Sequence, residues 1–503
     1  MHPPNSLPRI CTSIGHSAGS GAFALAAASC EAGESLLELR LDLLDEPGTG
    51  PVLVRRILAR HPETLLIATC RRRANGGSFD GSAQEQVAIL DAAVAAGARL
   101  VDVEVESVED SPGILDGFRA RATTVVSYHN FSCTPALRPV VRRLDATRAD
   151  VIKVATAVDR PTDNLRLLDI CADRPNAVVS GMGETGTVSR LLSPLRGGLF
   201  AYASPDGASV DGVPPTAPGQ TTASAARRLF RLAEGSLATK VFGIIGKPIG
   251  HSKSPLIHNR AFNATGLDGI YIPLLVEPGD VGDFMELMRS MPIAGASVTI
   301  PHKQAVIPYL DSIDPAAEGI GAVNTLYWKD GKLAGTNTDA TGVSAPLGKR
   351  VRLDRSRVLV VGNGGAAKAA VVALRRAGSR VFVTGRNPAR VESLARRHGA
   401  DPVAFGSLGG RSFDVLVQST PVGMLPDVDG TLFPGRIPAD VVFDLVYNPL
   451  ETALLRHARR QGKTVISGIE MFLEQAVAQF RIWTGLDAPR AVMRAAVLER
   501  RVK

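Results

Sequence analysis

The 503-residue sequence predicts an α/β protein in three parts: an N-terminal (β/α)8 barrel, a second α/β domain and a Rossmann-type dinucleotide-binding domain. Three observations carry that reading. Short apolar runs alternate with alanine- and leucine-rich segments over about the first 235 residues, the pattern an eight-fold barrel requires. The alternation then resumes beyond a closing helix and linker, "RRLFRLAEGSLATK", which puts a boundary near residue 238. Further on, "RVLVVGNGGAAKAAVVALRRAGSRVFVTGRN" has the order strand, glycine turn, helix, strand.

The barrel strands are expected at "RICTSIG", "SLLELRLDLL", "TLLIATCR", "RLVDVEVE", "TTVVSYHN", "ADVIKVAT", "NAVVSGMG" and "GLFAYASP". Between them, "QEQVAILDAAVAAGA" has helical apolar spacing and a glycine stop at Gly97. "GAFALAAASC" superficially resembles a lipoprotein signal, but no basic stretch precedes it, so it is predicted to be a helix of small residues. Barrel active sites lie at the C-terminal ends of the strands. Following the strands places Ser13, Glu38 and Arg40, Arg71, His129, Lys153 and Met182 at that end, so polar groups from six strands converge on one cavity.

Lys153 stands out because it is the only lysine among the first 239 residues, where every other basic side chain besides histidine is arginine. Its β-branched surroundings predict burial. A buried ammonium is either paired with a carboxylate or desolvated into a nucleophilic amine. Only an amine forms a Schiff base with a ketone. The residues alone leave both readings open.

The second domain is expected over residues 239–345, completed by C-terminal helices at 469–503, with the dinucleotide-binding domain at 346–468. Gly362, Gly364 and Gly365 end a strand and open a helix, where backbone N–H groups and the helix dipole favour a pyrophosphate. Alanine occupies the later positions of the usual G-x-G-x-x-G pattern. After the next strand, Arg386 stands where an acidic residue would select NAD, and a guanidinium there favours the 2′-phosphate of NADP.

Composition sets further limits. The net charge is +8, but the arginines are dispersed and aromatic residues make up 5%, so no nucleic-acid partner is expected. No apolar run approaches the roughly 18 residues of a membrane span. Five cysteines without a C-x-x-C pair point to a reducing compartment and no metal site. The arginine- and alanine-rich composition without a transit peptide points to a bacterial cytoplasm. Oligomeric state is not legible.

In order along the first part, "ELRLD", "SYHNF", "ADVIKVA", "GETGTVSRL" and "APGQ" resemble the motifs of type I 3-dehydroquinate dehydratases. The remainder resembles shikimate dehydrogenases through "GKPIGHSKSPLIHN", "SVTIPHK", "GAVNTL", "GTNTDATG", "QSTPVGM", "DLVYNP" and "SGIEMFLEQAVAQF". Over roughly residues 8 to 490 the chain is similar to the fused bifunctional enzymes of plants and some bacteria.

The resemblance implies that Lys153 is the Schiff-base lysine and His129 the general base. It implies substrate contacts from Ser13, Glu38, Arg40, Arg71, Arg190, Thr216 and Gln220, with Arg190 as carboxylate clamp. In the second part it implies a proton-transferring pair, Lys303 and Asp339, and substrate contacts from Ser252, Ser254, Thr299, Asn324, Tyr447 and Gln475. NADP would meet Gly362, Gly364, Gly365, Thr384, Arg386, Thr420, Gly468 and Met471. The implied function is dehydration of 3-dehydroquinate followed by NADPH-dependent reduction of 3-dehydroshikimate to shikimate, within aromatic amino acid biosynthesis.

Two departures stand out. Asn75 occupies a position where these dehydratases usually carry a glutamate supporting the histidine, which predicts a less basic His129 or a slower dehydratase. Gly385, Arg386 and Asn387 replace the usual Asn-Arg-Thr. Two other readings compete. An NAD-dependent quinate or shikimate dehydrogenase with a weak dehydratase half is opposed by Arg386. A regulatory protein without turnover is supported by Asn75 alone and opposed by Lys153, His129, Lys303 and Asp339.

Overall fold

The computed structural model describes residues 7–207, 216–217, 219–250 and 252–499, so Pro218 of "APGQ", His251 of "GHSKS" and the ends of the expected first and C-terminal segments lie outside the described residues. The chain divides into two compact units, Met1–Val241 with Asp268–Ile293, and Phe242–Leu267 with Ala294–Arg500.

The first unit contains eight parallel strands: β1 (Ile10–Ile14), β2 (Leu36–Arg40), β3 (Leu65–Thr69), β4 (Leu100–Glu104), β5 (Thr123–Asn130), β6 (Val151–Ala157), β7 (Ala177–Met182) and β8 (Ala201–Ala203). Every predicted barrel strand is present. Their order is β7-β6-β5-β4-β3-β2-β1-β8, and a 3.0 Å hydrogen bond from Leu199 N to Ala177 O ties the β7 and β8 edges at the base. Helices alternate with the strands. The one over Ala83–Ala95 shows the local logic: Ser82 and Glu85 form a reciprocal capping box at its start. At its end Gly97 takes a φ of 120° that other residues resist.

The barrel interior is layered, as expected when alternate strands contribute four side chains to each level. Leu36, Leu100, Val151 and Phe200 come from the even strands, and Cys11, Ile67, Val125 and Val178 from the odd ones; all belong to one buried apolar cluster. Two residues further along the odd strands stand Ser13, Thr69, Ser127 and Ser180. Two residues further along the even strands stand Glu38, Asp102, Lys153 and Tyr202, each buried. Period-two geometry keeps all of these on the inner face, so the barrel changes from apolar to polar within one step of two residues.

The next strands are β9 (Lys240–Gly246), β10 (Gly269–Leu275, in the first unit), β11 (Ile293–Val298), β12 (Ser312–Ile313), β13 (Thr325–Lys329) and β14 (Lys332–Thr336). In the second unit β9, β11, β13, β14 and β12 follow one another across a mixed sheet, antiparallel at β11–β13 and β13–β14. The helix Gly468–Thr484 packs beside the helix Asp339–Gly348 so tightly that a Cβ on Gly342 would sit 2.9 Å from Met471 O.

Six further strands, β15 (Arg357–Val361), β16 (Arg380–Thr384), β17 (Asp401–Pro402), β18 (Phe413–Gln418), β19 (Ala439–Asp444) and β20 (Thr464–Ile466), form a parallel sheet in the order β17-β16-β15-β18-β19-β20. Val358 and Val360 face one buried cluster with the helix Gly365–Arg376, and Leu359 and Val361 face another with the helix Ala453–Arg460. Each such side chain stabilises the fold by roughly 1.5–3 kcal/mol on burial. The strand order reverses between β15 and β18, which opens a crevice at their C-terminal ends.

Candidate active sites

The polar layer of the barrel is organised around Lys153. Its Nζ donates to Asp102 Oδ2 and Tyr202 Oη, both at 2.9 Å, and to Glu38 Oε1 at 3.3 Å. Glu38 also accepts from Ser13 Oγ at 2.5 Å and Thr69 Oγ1 at 3.1 Å. Burial pushes the Glu38 pKa up, but Lys153, Arg40, Arg71 and the Ser13 hydrogen bond outweigh it and hold the carboxyl at about 2. Glu38 is therefore a fixed anion. Of the two readings the sequence left open, the structure shows the paired lysine, salt-bridged to Glu38 and Asp102.

Arg71 and His129 border this layer. Arg71 lies 3.6 Å from Asp102, yet its Nε and Nη2 atoms are buried without a hydrogen-bond partner. Orphaned guanidinium donors are costly, and they suit an anionic or hydroxyl-bearing ligand. His129 pairs in register with Ala155, two residues beyond Lys153, and its Nδ1 is likewise buried without a partner. Burial, then Arg71, Lys153 and Arg40, push its pKa well below the ordinary histidine range, so the imidazole is neutral at pH 7. It is fit to take a proton.

Arg40 makes a two-pronged pair with Asp42, at 2.8 and 3.0 Å. Arg190 is buried, donates to Gly183 O and Thr187 Oγ1 at 2.9 and 3.1 Å, and burial brings its pKa down to about 10. A Cβ on Gly219 would come within 3.0 Å of its guanidinium, so the loop holding Thr216 and Gln220, joined at 3.1 Å, closes over it. Asn75 Nδ2 donates to Glu106 Oε2 at 2.7 Å, and among the described residues it makes no hydrogen bond to His129. Burial and nearby cations, rather than Asn75, depress His129. Asp102 and Tyr202, which meet Lys153 Nζ, and Glu104, which accepts from Gln86, were not singled out in the sequence.

In the second unit Lys303 Nζ donates to Asp339 Oδ2 at 2.5 Å, with Lys303 partly exposed and Asp339 buried. Asp339 opens the helix Asp339–Gly348, where the dipole favours a carboxylate. Asn324 Nδ2 donates to its other oxygen at 2.8 Å, and Gln479 Nε2 in turn donates to Asn324 O at 3.2 Å. Tyr447 stacks on Phe472 at 4.8 Å, and Gln475, on the same helix as Phe472, donates to Phe472 O. Ser252 Oγ accepts from Ser254 N at the start of the helix Ser254–Thr265, and Thr299 N is held by Ile245 O.

The glycine turn lies at the crevice between β15 and β18. A Cβ on Gly362 would meet Ser419 Oγ at 2.6 Å, whereas Cβ atoms on Gly364 and Gly365 would meet nothing within 4 Å. The helix N-terminus therefore faces open space. Thr384 Oγ1, at the end of β16, is buried without a partner, and Arg386 is exposed beyond it. Thr420 lies beside the turn, while Gly468 and Met471 begin the helix Gly468–Thr484. These groups fit a dinucleotide with a charged ribose substituent.

The comparisons with known proteins agree. The family described as Type I 3-dehydroquinase matches residues 10–236. The shikimate dehydrogenase substrate binding domain matches 244–326, Shikimate / quinate 5-dehydrogenase 347–421, and the shikimate 5'-dehydrogenase C-terminal domain 468–498. A chloroplastic bifunctional 3-dehydroquinate dehydratase/shikimate dehydrogenase of Arabidopsis thaliana is 34% identical over 490 residues, covering 92% of this chain and 79% of its own. The chain belongs to this bifunctional family.

The dehydrogenase half has further relatives. NADP(+) shikimate dehydrogenases of Maridesulfovibrio salexigens and Methanothermobacter thermautotrophicus are 42% and 43% identical, each over 52% of this chain and 97% and 96% of their own. The bifunctional chain is thus a 3-dehydroquinate dehydratase and an NADP-dependent shikimate dehydrogenase of the shikimate pathway. Among the described residues, no helix of the bifunctional chain is long and apolar enough to cross a membrane, and no group of acidic, histidine or cysteine residues could hold a metal.

Proposed function

We propose that the barrel dehydrates 3-dehydroquinate through an imine on Lys153. The observation that carries this is a buried amine on two carboxylates, bordered by a neutral imidazole and by guanidinium donors without partners. Lys153 condenses with the ketone with loss of water, so that its ammonium becomes a protonated imine. His129 then takes the proton from the adjacent carbon, the imine accepts the electron pair as an enamine, and His129 returns the proton to the departing hydroxyl. Hydrolysis frees 3-dehydroshikimate. Arg190 and Arg71 hold the carboxylate and hydroxyls, with Ser13, Glu38, Arg40, Thr216 and Gln220 around them.

In the second half, Lys303 supplies the proton to the carbonyl oxygen that becomes a hydroxyl, and Asp339 orients both. Ser252, Ser254, Thr299, Asn324, Tyr447 and Gln475 bind the substrate. NADPH, when bound, supplies the hydride to the adjacent carbon. Gly362, Gly364, Gly365, Thr384, Thr420, Gly468 and Met471 hold it, and Arg386 selects its 2′-phosphate. The working division is residues 1–238, 239–345 with 469–503, and 346–468. Five free thiols support a reducing cytoplasm.

Borohydride reduction in the presence of 3-dehydroquinate tests the central step. A mass increment mapped to Lys153, absent in Lys153→Arg, is the expected outcome; an unmodified Lys153 contradicts it.

A further inference from the structure

We propose that the phenol of Tyr202 carries the proton that moves between Lys153 Nζ and the substrate oxygen while the imine forms. This rests on the reading of Lys153 as nucleophile and goes beyond it, because it assigns the proton transfer at nitrogen to a group the resemblance does not name.

When a neutral amine attacks a ketone, the new C–N bond leaves a positive nitrogen and a negative oxygen. One proton must pass from nitrogen to oxygen to give the neutral carbinolamine, and the departing hydroxyl must later receive a proton to leave as water. The groups hydrogen-bonded to Nζ are Asp102, Tyr202 and Glu38. Glu38 is held as an anion at about 2 and already accepts from Ser13 and Thr69, so it has no proton to give. Asp102 is engaged by both Lys153 and Arg71. His129 makes no hydrogen bond to Nζ among the described residues and lies further along its strand.

Tyr202 differs from these groups. Its oxygen lies 2.9 Å from Nζ and accepts from it, and among the described residues it donates no hydrogen bond. Burial first, then Glu38, Cys11 and Asp102, push the phenol well above its usual pKa. It keeps its proton and cannot act as a lone base. A relay respects that limit: the phenol oxygen takes a proton from nitrogen as its O–H hands one to the substrate oxygen. Tyr202 begins and ends neutral. The ring also lies under the ammonium, with Nζ 4.2 Å from its centroid, so Tyr202→Phe removes the hydroxyl and leaves the packing and the cation–π contact.

The test is timed borohydride trapping on the full chain with 3-dehydroquinate, read by intact mass. Tyr202→Phe is expected to form the adduct about a hundredfold more slowly. Its melting profile should match the wild type, as should its reduction of 3-dehydroshikimate. Trapping within about twofold of the wild-type rate overturns the relay. A wild-type chain that traps nothing overturns the Lys153 assignment itself. Independently of any variant, adduct formation by the wild type should slow at least about twofold in heavy water. Equal rates in the two solvents also overturn the relay.

Discussion

At His129 the decisive quantity is the free energy of its charged form. Burial and three neighbouring cations, Arg71, Lys153 and Arg40, all disfavour the imidazolium. A lowered pKa means the base remains unprotonated as pH falls through the ordinary histidine range. The acid limb of the dehydratase kcat/KM profile is therefore expected below pH 6.5, the ordinary histidine value, and a midpoint at or above it would contradict this electrostatic account. Lys153→Arg keeps the positive charge between Glu38 and Asp102 but cannot condense with a ketone. Dehydration should fall about a thousandfold or more. On the cofactor side, Arg386→Asp replaces the proposed phosphate partner by a repelling charge, and the ratio of kcat/KM for NADPH over NADH should drop by about ten- to a hundredfold. Parallel kinetics with the two nucleotides check it. An unchanged ratio would remove Arg386 from the phosphate site.

At the scale of elements, the eight barrel strands were legible because apolar runs separated by helical spacing admit few other folds. Ser13, Glu38, Arg40, Arg71, His129, Lys153 and Met182 were legible as polar or exceptional residues at strand ends. Asp102 and Tyr202 were not, for a physical reason. In "VDVEVE" the usual half-buried alternation would turn valine inwards and acid outwards, but a barrel strand is buried on both faces. Here Val101 and Val103 pack outside while Asp102 and Glu104 point inside. Tyr202 was hidden in "FAYAS", where a tyrosine looks like core. Asn75 was legible as a departure, but its partner Glu106 comes from another strand end and no local pattern announces it.

Gly468 opens its helix directly against the backbone of Leu445 and Val446. A Cβ there would lie 2.4 Å from Val446 O and 2.6 Å from Leu445 O, backbone atoms that cannot rotate away. Gly468→Ala should destabilise the second unit by about 1–3 kcal/mol. Denaturant unfolding followed at Trp328 and Trp483, both in that unit, measures it. No change in midpoint would show that the helix start can shift.

At the scale of the whole molecule, one chain holds two sets of groups proposed to transfer protons, Lys153 with His129 and Lys303 with Asp339. The product of the first reaction is the substrate of the second. The two sets belong to different compact units and share no residue, so single substitutions should separate the activities. Lys303→Met should abolish reduction of 3-dehydroshikimate while dehydration of 3-dehydroquinate continues. Loss of both activities in that variant would mean the halves are not independent.

The central claim is that the barrel's buried amine produces the substrate that the second unit reduces. It is tested most directly by supplying the intact chain with 3-dehydroquinate and NADPH and following nicotinamide absorbance, with Lys153→Arg in parallel. The account predicts oxidation of NADPH by the wild type, none by Lys153→Arg, and oxidation by both when 3-dehydroshikimate is supplied instead. A Lys153→Arg chain that still oxidises NADPH from 3-dehydroquinate at the wild-type rate would contradict it.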